Sequence, residues 1–193
     1  MRTFIAIGID DAVRSRLAAL QDDLRAASPR LRWTHPEQMH LTLKFLGDTD
    51  HEQVALIRDK LASLAAATSP FSLNIDETGV FPPSGAPRVV WVGVKDTAGD
   101  LRRRRDSVEK AIAPLGFPAE DRPFHPHLTL ARCRDPRDGR AIREALQQHR
   151  GFDAGVTTVR QLVFFQSILG ARGPIYAAIS AHELRGNPNP DST

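Results

Sequence analysis

The tetrapeptide His-Leu-Thr-Leu occurs twice in this chain, beginning at His40 and again at His127. Each copy lies in a short stretch whose alternation of polar and apolar residues predicts a β-strand. Side chains on a strand point alternately to its two faces, so His40 shares a face with Thr42, and His127 shares one with Thr129. If the two strands belong to related lobes, two imidazoles and two hydroxyls can meet at one site.

This set of groups suits an in-line displacement at phosphorus, such as the opening of a 2′,3′-cyclic phosphate. One group must remove a proton from the attacking water, and another must protonate the departing sugar oxygen. Histidine, whose ordinary pKa is about 6.5, can do either near neutral pH. Threonine hydroxyls can donate hydrogen bonds to the phosphate oxygens. The scheme requires no metal or other cofactor, and the spacing leaves open which histidine is the acid.

Two interpretations without acid and base catalysis compete with this one. Either copy alone fits an ordinary amphipathic strand, because threonine favours strands and leucine favours cores. Repetition in the same phase, with no other His-x-Thr in the chain, favours the catalytic interpretation. A zinc site is the other alternative, since His125, His127 and His40 would supply three imidazoles. Pro126 places His125 at the start of the strand, and we predict no metal site.

Three residues close to the motifs are candidates for binding substrate. Lys44 has the same parity as the first histidine and would face the same side, where it could meet an RNA phosphate. Arg132 ends the second motif, and its guanidinium suits phosphate. On a regular strand Arg132 faces away from His127, so it reaches the site only if the strand ends or bulges near residue 131. Phe45 could stack on a nucleobase.

The bulk composition is that of an ordinary globular protein. The chain has 193 residues, of which 41% are hydrophobic and 25% charged, and its formal charge is +3. Arginine supplies most of the positive charge, which favours a phosphate-bearing partner, although a general preference for arginine would give the same composition. Cys133 is the single cysteine and cannot form an internal disulfide. With no apolar stretch near the roughly 20 residues of a membrane span, we expect a cytoplasmic protein.

Strand and helix patterns alternate along the chain, and the period-two strands favour an α+β fold over a parallel sheet. A helix pattern follows each His-Leu-Thr-Leu copy, which predicts two related lobes within one domain over 1–184. Four successive arginines, 102–105, spread around a helix and predict a solvated helix rather than a binding face. Residues 185–193 predict a disordered tail. The predicted strands cover 3–9, 39–46, 71–75, 89–94, 127–133, 157–168 and 176–184, and the predicted helices follow Asp10 and cover 51–67, 100–113 and 137–149.

The segments HLTLKFLG (40–47) and RPFHPHLTLAR (122–132) resemble the two signature motifs of the two-histidine phosphoesterases. They are most similar to those of the RNA 2′,3′-cyclic phosphodiesterases, historically named 2′-5′ RNA ligases. Stretches such as RTFIAIGI, RVVWVGV and FFQSILGARGPIY extend the resemblance over most of the chain. The resemblance implies a bilobal, pseudo-symmetric α+β fold, with two mainly antiparallel sheets flanked by helices around a central cleft.

The same resemblance implies hydrolysis of RNA 2′,3′-cyclic phosphates to 2′-phosphomonoesters. It makes His40 the proton donor and His127 the proton acceptor, with Thr42 and Thr129 as donors to the phosphate oxygens. Two alternatives stay open: 2′-5′ RNA ligation as the reverse reaction, and a non-catalytic module that binds RNA ends or nucleotides. Two titratable groups favour catalysis, since binding alone does not require them. We expect a monomer that acts on RNA 3′ ends or cyclic nucleotides.

Overall fold

The computed structural model describes residues 1–121, 123–135, 137–170 and 173–186. Its strands are β1 (Arg2–Ile7), β2 (Arg32–Trp33), β3 (Leu41–Asp48), β4 (Phe71–Phe81), β5 (Val89–Lys95), β6 (His127–Arg132), β7 (Asp153–Val159), β8 (Gln161–Gly170) and β9 (Gly173–Glu183). Its helices are α1 (Asp11–Ala27), α2 (His51–Ala66), α3 (Asp100–Ile112) and α4 (Asp138–Gln148). None of the helices in these ranges is long and apolar enough to cross a membrane.

Two sheets, each antiparallel throughout, form the two lobes. The first sheet has the strand order β3-β1-β8-β9, and the second has the order β2-β6-β5-β4-β7. The succession strand, helix, strand, helix occurs first as β1, α1, β3, α2 and again as β5, α3, β6, α4. β4 then pairs with β5, whereas β8 returns to pair with β1. Each sheet therefore contains strands from both halves of the chain, and the predicted α+β class is confirmed.

The predicted single strand over 157–168 is wrong. The structure has two strands there, β7 and β8, which belong to different sheets and meet at Arg160. The Arg160 carbonyl accepts a hydrogen bond from the Leu184 N–H at the place where the chain crosses between lobes. Both segments are rich in β-formers, so local periodicity runs through the crossing without a break. Only the pairing partners, which lie far away in sequence, separate the two strands.

A single apolar core runs beneath both sheets and the helices. α1 buries Leu17 and Leu24 against it, and α3 buries Leu101 and Ile112. The four consecutive arginines of α3 are only partly solvated: the first two are exposed, and the other two are half-buried. Arg105 forms an ion pair with Glu109 over 3.3 Å, one turn further along the helix.

Asp10 lies at the N-cap position of α1, as the sequence predicts, but its carboxylate does not cap the helix. Its Oδ2 instead accepts a hydrogen bond from the Thr158 N–H over 2.7 Å. The Asp10 N–H in turn donates to the Thr157 hydroxyl oxygen over 2.9 Å. These reciprocal hydrogen bonds tie the start of α1 to β7 of the second sheet.

The C-terminal segment is described as far as Gly186. The Arg185 N–H donates to the Ala65 carbonyl, and the Gly186 N–H donates to the Thr68 carbonyl, so both residues follow the end of α2. The remainder of the predicted disordered tail, 187–193, lies outside the described residues.

Candidate active site

The two histidines of the repeated motif are held in the same way. Nδ1 of His40 lies 2.7 Å from the carbonyl oxygen of Gln38, and Nδ1 of His127 lies 2.7 Å from that of His125. A carbonyl can only accept, so each Nδ1 carries a hydrogen and the other ring nitrogen, Nε2, is left for chemistry. Neither Nε2 is bonded to another residue in the described part of the chain. No sequence pattern predicts this shared orientation of the two rings.

The two threonines lie as predicted beside their histidines, and both are half-buried. Thr42 is opposite Ala6 on β1, and Thr129 is opposite Trp91 on β5. Within the ranges that the structure describes, neither hydroxyl has a hydrogen-bond partner. Both O–H groups are therefore available to donate to a ligand.

Each motif ends in a β-bulge, although the sequence suggests one only for the second strand. On β3, Thr42 and Lys44 pair with successive residues of β1, so Leu43 is an extra residue. On β6, Thr129 and Ala131 likewise pair with successive residues of β5, and the residue between them is extra. A bulge reverses the parity of every residue that follows it. The strand faces predicted from a regular alternation are therefore exchanged beyond each bulge.

The bulge on β3 overturns the prediction that Lys44 faces substrate. Lys44 pairs with Ile5, and its side chain lies in the core with 1% of its surface exposed. Its ammonium donates to the Glu109 carboxylate and to the Pro118 carbonyl oxygen. Phe45 takes the place predicted for Lys44 and is 62% exposed.

The bulge on β6 has the opposite consequence for Arg132. On a regular strand this arginine would face away from His127, but the extra residue before it returns the guanidinium to the histidine face. Arg132 is exposed, and its positive charge is one of the causes that lower the pKa of His127. The structure thus brings Arg132 to the second histidine and removes Lys44 from the first.

Aromatic rings surround His40. Phe4 stacks on its ring with centroids 4.8 Å apart, and Tyr176 meets it edge-on at 5.0 Å. Phe165 lies 5.8 Å away. Burial among these rings lowers the pKa of His40, and the hydrogen bond to the Gln38 carbonyl opposes the shift. Tyr176 has no motif of its own in the sequence, so its contact with His40 appears only once β9 is placed beside β8.

Fewer aromatic rings surround His127 than His40, and charged groups lie nearer to it. Phe81 meets its ring edge-on at 5.0 Å and lies 6.1 Å from the His125 ring. Burial lowers the pKa of His127, the bond to the His125 carbonyl opposes it, and the charges of Arg132 and His125 lower it further. The described residues contain no cluster of His, Cys, Asp or Glu arranged to hold a metal ion. His125 therefore acts on His127 through both its carbonyl oxygen and its charge.

A cavity of about 700 Å³ lies beside the two imidazoles and between the two sheets. It reaches the first motif through Tyr176, which packs on His40, and the second through Arg132. Neither histidine lines the cavity, so the cavity adjoins the two imidazoles and does not enclose them. Its lining residues are Arg32, Trp33, Thr34, His35, Gln38, Arg132, Gly170, Pro174, Ile175 and Tyr176.

Comparison with known proteins supports the repeated architecture. The family described as LigT like Phosphoesterase matches the chain twice, over residues 7–91 and 92–176. The first match contains His40 and the second contains His127. The chain belongs to the LigT-like phosphoesterase family. The family resemblance predicted from the two motifs is thereby confirmed.

Relatives of this LigT-like phosphoesterase match over nearly full length. An RNA 2′,3′-cyclic phosphodiesterase of Aeropyrum pernix is 37% identical over 164 residues, which are 85% of this chain and 92% of the relative. One of Archaeoglobus fulgidus is 34% identical over 183 residues, 95% of this chain and 100% of the relative. Among solved structures, TT0787 of Thermus thermophilus has a TM-score of 0.81 at 28% identity, covering 97% of this chain and 100% of that chain. E. coli LigT complexed with 3′-AMP has a TM-score of 0.70 at 25% identity, covering 95% and 97%.

Proposed function

We propose that this LigT-like phosphoesterase hydrolyses RNA 2′,3′-cyclic phosphate ends to 2′-phosphomonoesters, with His40 as general acid and His127 as general base. The observation that carries the proposal is the matched anchoring of both imidazoles through Nδ1, at 2.7 Å in each case, which leaves two Nε2 atoms for proton transfer. The names of the relatives, RNA 2′,3′-cyclic phosphodiesterases, supply the substrate class.

In the proposed reaction, water attacks phosphorus on the side opposite the 3′ oxygen. Nε2 of His127 takes the proton of the water, the new P–O bond forms, and the bond from phosphorus to the 3′ oxygen breaks. Nε2–H of His40 gives its proton to that oxygen, which leaves as the 3′ hydroxyl while the phosphate stays on the 2′ oxygen. At the end His127 is protonated and His40 is neutral, so exchange with solvent restores both for the next cycle.

The surroundings of each histidine bear differently on its role. Arg132 favours the neutral form of His127, which is the form a base requires. Burial also favours neutral His40, whereas an acid must be protonated. The negative charge of a bound cyclic phosphate acts against that shift, because an anion stabilises a nearby imidazolium. Binding of the anionic substrate therefore favours the protonated form of His40, which is the form that an acid requires.

The remaining site residues bind the substrate in this proposal. The hydroxyls of Thr42 and Thr129 donate to the non-bridging phosphate oxygens, where negative charge grows in the transition state. The guanidinium of Arg132 lies on the same face and binds phosphate. Phe45, at 62% exposed, stacks on the terminal base.

Product analysis tests the proposal. A short RNA with a 2′,3′-cyclic end is incubated with the protein, with and without a metal chelator, and the 2′ and 3′ phosphomonoesters are resolved. We expect the 2′ product at the same rate in both conditions. A 3′ product, or loss of the rate with chelator, contradicts the mechanism. Binding without product favours a non-catalytic module, and joining of added 5′-hydroxyl RNA favours the reverse ligation.

We further propose that residues 1–184 form one bilobal domain that acts as a monomer in the cytoplasm. The exchange of β4 and β8 between the sheets and the continuous core support a single folding unit. The lone cysteine, Cys133, suits a reducing compartment. Light scattering coupled to size-exclusion chromatography tests the oligomeric state, with a mass near the chain mass of 21.3 kDa as the expected result.

A further inference from the structure

The cavity of about 700 Å³ beside the histidines is larger than the proposed reaction requires. In the proposed reaction the cyclic phosphate is bound by the two histidines and the two threonines, none of which lines this cavity. Ligand pockets in proteins typically measure about 300–1,000 Å³, so the cavity has room for a further part of a substrate. The residues that line the cavity indicate which part of the substrate it binds.

One wall is cationic. Arg32 on β2 and Arg132 on β6 are direct partners in the register of the second sheet, and both line the cavity. Residues directly opposite on paired strands share a face, with Cβ atoms about 5 Å apart. Two arginines at such positions place two cationic side chains on one face of the sheet, beside the cavity. A guanidinium presents a planar fork of donors that matches a phosphate.

The opposite wall is largely apolar and comes from β9 of the first sheet. Ile175 is 54% exposed, although large aliphatic side chains are usually buried, and it lines the cavity together with Pro174. Tyr176 follows and packs its ring against His40. The Gln38 side chain donates to the Pro174 carbonyl oxygen over 3.4 Å, which holds this strand against the turn that leads to His40.

The two arginines lie at increasing distance from the proposed site of reaction. Arg132 is close enough to His127 to lower its pKa, and Arg32 lies one strand further out, on the edge of the sheet. A cationic wall thus begins at the reaction centre and faces an apolar wall across the cavity. A nucleotide offers both complements, since it carries an anionic phosphodiester and a flat base. A 2′,3′-cyclic phosphate closes the 3′ end of its chain, so the only neighbouring nucleotide lies on the 5′ side.

We propose that this cavity binds the nucleotide that precedes the cyclic end. Its phosphodiester lies between Arg32 and Arg132, and its base lies against Ile175 and Tyr176. The inference rests on the proposed function and narrows it: the preferred substrate is an RNA chain of at least two nucleotides, and a cyclic mononucleotide leaves the cavity empty.

The wild-type protein tests the subsite with three probes: 2′,3′-cyclic AMP, the dinucleotide ApA with a cyclic end, and the same dinucleotide with a neutral methylphosphonate linkage. We expect kcat/KM for the charged dinucleotide to exceed that for the neutral one about tenfold or more, since hydrogen bonds between charged groups are strong. The difference should shrink as salt is added. Equal kcat/KM for all three probes overturns the subsite and leaves the proposed function standing. Hydrolysis of none of them overturns the proposed function itself.

The Arg32→Ala variant assigns the effect to a residue. We expect kcat/KM for the charged dinucleotide to fall about tenfold, and the ratio of charged to neutral dinucleotide to approach one. Arg102→Ala, at an exposed position on α3 outside the cavity, is the matched control and should keep the wild-type ratio. An unchanged ratio in Arg32→Ala overturns the assignment to this arginine. If Arg32→Ala does not fold, the wild-type comparison of charged and neutral linkages decides.

Discussion

The two His-Leu-Thr-Leu strands share a backbone plan and differ in what surrounds it. In both, the histidine Nδ1 is bound to the carbonyl two residues earlier, and a bulge follows the threonine. After the bulge the first strand places Lys44 in the core and Phe45 at the surface. The second strand places Ala131 and Arg132 at the same two positions. The first lobe is thus aromatic and internally charged, whereas the second is cationic at the surface.

This difference is consistent with the two opposite proton-transfer roles that we propose for the two copies of the motif. The shared anchoring of Nδ1 leaves the same atom, Nε2, without a partner among the described residues in both strands. The residues beyond the bulges then set the local potential, with Arg132 near His127 and a closed aromatic surround near His40. Four sets of substitutions test this difference between the lobes, and they follow in order of decreasing expected effect.

Glu109→Leu should have the largest effect, because it leaves the ammonium of Lys44 buried without its carboxylate. Breaking a buried ion pair typically costs about 3–5 kcal/mol, and we expect a loss of that order in the free energy of unfolding. Denaturant titration measures it. The double variant Lys44→Met with Glu109→Leu should recover most of the loss, and Asp106→Ala, more exposed on the same helix, should change stability by less than about 0.5 kcal/mol. No recovery in the double variant would show that the unpaired Lys44 charge is not the cause, and that packing or the lost ion pair with Arg105 is.

His40→Asn and His127→Asn should each lower kcat/KM about a hundredfold or more on a cyclic phosphate substrate. The two variants should differ on a substrate whose 3′ oxygen is replaced by sulfur, because a thiolate leaves without protonation. We expect this substrate to restore much of the rate of His40→Asn and little of that of His127→Asn. Rescue of His127→Asn alone would exchange the acid and base assignments.

Thr42→Val and Thr129→Val should lower kcat about tenfold or more while preserving shape, because each removes one donor to the growing phosphate charge. Thr42→Ser and Thr129→Ser keep the hydroxyl and should retain most of the activity. Single-turnover rates measure the chemical step. A serine variant as impaired as its valine counterpart would point to a packing role for that threonine.

The smallest of the expected effects is a shift in the pH dependence of kcat/KM. Burial lowers the pKa of both histidines in the free protein, so the maximum should lie on the acidic side of the ordinary histidine value of about 6.5. Arg132→Gln removes a positive charge that lowers the pKa of His127. The acidic limb, where the base becomes protonated, should therefore move to higher pH.

Arg102→Gln is the control for that shift, since it removes the same charge at an exposed position on α3, and Arg102 is not among the groups that shift the pKa of His127. It should leave both limbs of the profile where they are in the wild type. An acidic limb that does not move in Arg132→Gln would mean that His127 is not the group protonated there.

The sequence determined which side chains are candidates for catalysis and how they pair on strand faces. Histidine and threonine two positions apart on a strand must share a face, and the repeat predicted a second copy of the same arrangement. Helix positions followed equally well, since α2 and α3 have bounds within about two residues of their predicted ranges. These features depend on local periodicity and on side-chain chemistry, which are both present in the linear chain.

Only the tertiary structure decided what lies beyond each threonine. A bulge arises from the register with a partner strand, and β1 and β5 lie about 35 residues before the strands they pair with. No local pattern therefore indicated that Lys44 turns into the core or that Arg132 turns toward His127. The cavity between the sheets and the contact of Tyr176 with His40 likewise require strands brought together from distant parts of the chain. Local sequence therefore determines which side chains are candidates for catalysis. Pairing between strands that are distant in sequence determines the neighbours that shift the pKa of each histidine.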